Sequence, residues 1–72
     1  MVETTIGRRL RVARTSAGLS QGGLGDLVGV RGQTVYRYEA DQIVPSSVVA
    51  VKIAKACGIS VEFLVLGTSE LS

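Results

Sequence analysis

Apolar residues return along this chain at helical spacing, with no run of the two-residue alternation that marks a half-buried strand. Ile6, Leu10, Ala13 and Ala17 recur four, three and four residues apart. That spacing lays them on one stripe and predicts a first helix over residues 6–17, with Arg8, Arg9 and Arg11 pointing away. Thr4 or Thr5 can cap its start, and Gly18 stands where a left-handed C-terminal cap belongs. Ser20 opens a second helix to about Val28, with Leu24, Leu27 and Val28 as its inward side. Gly22, Gly23 and Gly25 weaken it by about 1 kcal/mol each relative to alanine, so packing must hold it. Gly25 suits a place where another helix backbone crosses close by.

Gly29 stops the second helix, and a third occupies about residues 32–40. At about 100° per residue, Gln33, Tyr36 and Arg37 share one arc while Val35, Tyr38 and Glu39 fill the other side. Such a helix has an apolar back for a core and a polar front offered outward. Two short helices joined by a brief glycine-containing turn make a helix-turn-helix. Asp41 to Pro45 is a loop whose proline sets entry into the next helix. Ser46 or Ser47 caps a fourth helix through Cys57, with Ala50, Ile53, Ala54 and Cys57 inward. Val48, Val49 and Val51 are β-branched, so packing rather than propensity supports it. Ser60 starts a last short helix over residues 61–66. The expectation is an all-α, compact five-helix domain over residues 1–67 followed by a C-terminal tail over 68–72.

Composition narrows what such a domain can do. Seventy-two residues make one domain near the lower size limit for a chain without staples. Cys57 is the single cysteine and there is no histidine, so neither an intrachain disulfide nor an ordinary zinc site is available. Without histidine there is also no nucleophile–base–orienter set, and the scattered acids lack catalytic spacing. An enzyme is not expected, and neither a cofactor nor a small-molecule ligand is called for. A reducing, cytoplasmic setting fits, since the N-terminus carries no signal-peptide core and no apolar run exceeds four residues.

Charge adds direction. Net charge is only +2, yet residues 1–37 hold six arginines against two acids, while residues 38–72 carry an excess of acid. A basic half on a chain of pI about 9.1 suits a polyanion. Arg31 and Gly32 flank the start of the third helix, where free N–H groups and positive charge favour a phosphate. Glu39 on an inward face needs a cationic partner. Arg8, Arg9 and Arg11 read as solvated. Phe63, Val65 and Leu66 cannot all face the core of so short a helix, so part of that set should form a partner surface.

The run Gly18-Leu19-Ser20-Gln21, then Leu24, Gly25, Leu27-Val28-Gly29-Val30, Thr34-Val35, Arg37 and Glu39, resembles the DNA-binding domain of Cro and phage-repressor proteins. Pro45-Ser46, Lys52 to Ala56 and Gly58-Ile59-Ser60 continue the likeness, which covers about residues 6–66. The resemblance implies that helix 3 lies in the major groove of double-stranded DNA while helix 2 crosses the backbone. Gln33 and Arg37 would read base edges with Tyr36 beside them, glutamine suiting adenine and arginine guanine. Gln21, Arg31, Gly32 and Thr34 would meet phosphates, and Arg14 with Glu39 would form the family's inward ion pair. It also implies a homodimer on a palindromic operator, acting as a transcriptional repressor, with dimerisation through the fourth-to-fifth helix region or through a longer parent chain. The sequence departs from the family at Gly22, Gly23, Arg31, Gly32 and Tyr38. A rival use of the same fold is an antitoxin or anti-repressor that sequesters a protein.

Overall fold

In a computed structural model, which describes residues 4–67, these residues form five α-helices: α1 (Ile6–Ser16), α2 (Gln21–Val28), α3 (Gly32–Glu39), α4 (Ser47–Cys57) and α5 (Val61–Leu66). The stretch assigned to a tail, residues 68–72, lies outside the described residues. Four of the helices begin with a hydroxyl accepting the backbone N–H three residues on: Thr5 from Arg8, Ser20 from Gly23, Ser46 from Val49 and Ser60 from Phe63. Only α3 lacks this device, since Arg31 stands at its N-cap and makes no capping bond.

One core collects the inward stripes. Leu10 from α1, Leu24 and Val28 from α2, Val35 and Tyr38 from α3, Ala50 and Ile53 from α4 and Leu64 from α5 pack together. Two inward assignments fail. Ala17 is exposed because α1 ends at Ser16 and residue 17 has left the stripe as its C-cap. Leu27 is 62% exposed. The buried side of α2 is centred on Leu24, Gly25 and Val28, and Leu27 lies about 100° away from that centre.

Gly25 explains the offset. A Cβ there would sit 2.4 Å from the Val30 carbonyl oxygen and 3.1 Å from the Arg31 carbonyl carbon. The crossing backbone is therefore the α2–α3 turn itself. Gly29 turns the chain at φ +84°, and the N–H groups of Gly29 and Val30 both donate to the Gly25 carbonyl, at 2.8 and 2.9 Å. Side-chain volume is sacrificed at residue 25 so that α3 can start within touching distance of α2.

Two long-range ties were not read from the sequence. Asp41, at φ +59°, accepts the Thr5 hydroxyl on Oδ2 at 2.6 Å and the Gly7 N–H on Oδ1 at 3.0 Å. Aspartate is among the few residues with a side chain that tolerate this backbone region, and its charge suits a helix N-terminus. The second tie corrects the placing of Arg9 in solvent. Its Nε donates to the Leu64 carbonyl and its Nη2 to the Val65 carbonyl, both at 3.0 Å. Nη1 reaches the Thr4 carbonyl as well. Arg9 thus satisfies the open carbonyls at the end of α5 and fastens that short helix to α1.

Candidate nucleic-acid interface

The polar front of α3 is open. Gln33, Tyr36 and Arg37 are exposed, while Val35 and Tyr38 on the opposite side are buried. Because Val35 and Tyr38 are gripped by the core, the direction in which the front points is not free to vary. At the start of α3, the Arg31 carbonyl accepts the N–H groups of Thr34 and Val35. The N–H groups of Gly32 and Gln33 find no acceptor among the described residues, and the Arg31 side chain next to them is exposed. Thr34 is half-buried.

Gly32 does more than leave out a side chain. A Cβ there would lie 3.0 Å from Cα and 3.1 Å from N of Gly22. The first turns of α2 and α3 therefore touch through bare backbone. A Cβ on Gly22 itself would meet nothing within 4 Å, so that glycine carries the approach on its Cα alone. The contact therefore accounts for the departure at residue 32, while the glycine at residue 22 is not required by it.

Behind this front, α1, α2 and α3 are joined by a charged cluster. Arg14 Nε donates to Glu39 Oε2 at 2.5 Å, its Nη2 reaches Oε1 at 3.2 Å, and its Nη1 donates to the Leu19 carbonyl at 2.8 Å. Gln21 Nε2 adds a bond to Glu39 Oε1 at 3.1 Å. The side chains of Arg14 and Glu39 are 11% and 5% exposed, so water screens them little. The resemblance assigns Gln21 to a phosphate. Here its side-chain amide is turned inward onto Glu39, and what remains for an outside anion is its backbone N–H at the first turn of α2.

Cys57 is half-buried. Burial pushes its thiol above the ordinary range; nearby Arg14 opposes that shift and Glu39 adds to it. A thiol so raised stays neutral and unreactive near pH 7. Among the described residues no group of His, Cys, Asp and Glu could hold a metal ion, and no helix is long and apolar enough to cross a membrane.

A second surface lies away from α3. Ile6, Val44, Pro45, Val51, Val65 and Leu66 line an apolar groove of about 450 Å³ between the start of α4 and α5. Val44 and Leu66 are 73% and 71% exposed, and Val48 on α4 is 62% exposed. Of the three residues expected at a partner surface, Val65 and Leu66 border this groove. Phe63 does not, being half-buried elsewhere on α5. Val44, Val48 and Val51 were missed. The signal was the excess of β-branched residues at the start of α4, more than its inward side could bury.

Comparison with known proteins places this geometry. A family model described as a helix-turn-helix domain matches residues 5–64. An SPbeta prophage-derived, uncharacterized HTH-type transcriptional regulator of Bacillus subtilis, YonR, is 36% identical over 62 residues. That match takes in 86% of this chain but only 57% of the regulator. Among solved structures, the P22 c2 repressor in complex with a synthetic operator superposes with a TM-score of 0.87 at 26% identity, over 92% of this chain and all of that one. The restriction-modification controller protein C.AhdI from Aeromonas hydrophila gives 0.76 at 39% identity, over 82% of this chain and 89% of its own.

Proposed function

The chain belongs to the helix-turn-helix domain family, and we propose from this that it acts as a DNA-binding transcriptional regulator of the repressor type. The observation that carries the reading is α3: its back is locked into the core and its front presents Gln33, Tyr36 and Arg37 to solvent. The P22 c2 repressor, whose fold this chain shares, was crystallised on an operator. In the proposed complex α3 enters the major groove, where Gln33 can pair with adenine N6/N7 and Arg37 with guanine O6/N7. Arg31, the open N–H groups of Gly32 and Gln33, Thr34 and the N-terminus of α2 at Gln21 supply phosphate contacts, which set register and affinity rather than sequence choice.

Two copies acting together would read a palindrome with half-sites about 34 Å apart. The apolar groove bordered by Val44, Val51, Val65 and Leu66 is the surface proposed to join them, because burying it against its own copy removes these exposed apolar side chains from water. Occupancy of the operator would then exclude competing proteins from the same DNA.

Selection of bound sequences from a random duplex pool, followed by binding measurements on the winner, tests the reading. Gln33→Ala and Arg37→Ala should each cost about 1–3 kcal/mol on the selected site and little on unrelated DNA. Equal losses on both kinds of DNA would refute base reading by these side chains.

A further inference from the structure

A polar cleft of about 340 Å³ opens between α1 and α3, lined by Arg11, Arg14, Gln21, Tyr36, Glu39 and Ala40. Its floor is electrically settled. Both oxygens of Glu39 are taken, by Arg14 and Gln21, and little of either charged side chain meets water. Its rim is not settled. Arg11 is exposed on α1, and its guanidinium has no hydrogen-bond or ion-pair partner among the described residues. Tyr36 is 52% exposed, and its hydroxyl likewise has no partner there. With Arg14 and Glu39 cancelling, the charge left over in the cleft is that of Arg11.

The proposed DNA complex decides what meets that rim. An α-helix with its side chains is about 10–12 Å across, and the major groove is about 12 Å wide. A helix lying in the groove therefore fills it, and the flank of α3 faces the groove wall, which is sugar and phosphate. Tyr36 from α3 and Arg11 from α1 both border the cleft, and both are exposed. We propose that Arg11, with the Tyr36 hydroxyl as a second donor, binds a backbone phosphate of the duplex beside α3. The contact would come from α1, outside the two helices of the helix-turn-helix, and it gives Arg11 a place in the interface instead of a share in a diffuse field. The inference rests on the DNA-binding reading and adds one site to it.

Phosphate contacts are independent of sequence, so the probe is a mixed-sequence duplex titrated across a range of salt. Each lost phosphate contact lowers the slope of log K against log salt by about 0.9. Arg11→Gln should lower it by that amount, Arg11→Lys should keep it, and Arg8→Gln should leave it nearly unchanged. Arg8 is exposed on the same helix but does not border the cleft, so it reports on the general field. Tyr36→Phe should weaken binding at every salt concentration without altering the slope. Equal slopes for Arg11→Gln and Arg8→Gln would overturn the site while leaving the DNA-binding reading intact. Failure of the unaltered protein to bind the duplex at low salt would remove both. Melting of Arg11→Gln should match the parent, which separates a lost contact from a lost fold.

Discussion

The α2–α3 pair and the α4–α5 pair are built on opposite principles. In the first, glycines bring backbone against backbone, the start of α3 has no side-chain cap, and the outward face is polar. In the second, both helices start at serine caps, β-branched residues crowd the surface, and the outward face is apolar. A polar face recognises through hydrogen bonds and charge, and its binding fades with salt. An apolar face associates by leaving water and is largely indifferent to salt. The two faces sit on different helix pairs around one shared core, so both of the proposed contacts can be made at once.

The comparison breaks most readily at the charged cluster behind α3. Glu39→Ala leaves Arg14 nearly buried without its partner and frees Gln21, and should cost about 3–5 kcal/mol in chemical denaturation. A loss under 1 kcal/mol would mean that water reaches the cluster and that it does not tie α1 to α3. At the other surface, Leu66→Ser should weaken self-association by about 1.5–3 kcal/mol in sedimentation experiments while hardly changing the melting of the monomer. An unchanged association constant would assign the apolar groove to some other use.

The glycines sharpen the contrast within α2 itself. Gly25→Ala drives a methyl group into the α2–α3 turn and should destabilise by about 1–3 kcal/mol. Gly22→Ala points its methyl group into open space and should stabilise by about 0.4–1 kcal/mol, read as a rise in the denaturation midpoint. Two neighbouring glycines in one helix are thus expected to respond with opposite signs.

Much of this was legible in advance. The helices, the turn at Gly29 and the polar front of α3 follow from spacing and capping residues, which act over a few positions. The ion-pair partners Arg14 and Glu39 were legible through the family resemblance, since an inward acid demands a partner without saying which one. The side of α2 that is buried was misjudged at Leu27. Its periodicity fits either neighbour, and only the crossing of the turn over Gly25 chooses between them.

What the sequence by itself determined was local: where each helix starts, where it stops, and which residues of α3 can face outward together. Those outcomes depend on backbone geometry and on neighbours three or four places away. The tertiary structure alone decided that Arg9 fastens α5, that Asp41 caps α1, and that Gly22 and Gly32 meet. It also decided that Gln21 turns inward to Glu39. Each of these joins residues at least ten positions apart. Such pairs meet only once whole helices have been oriented by the core, and no periodicity along the chain records that orientation.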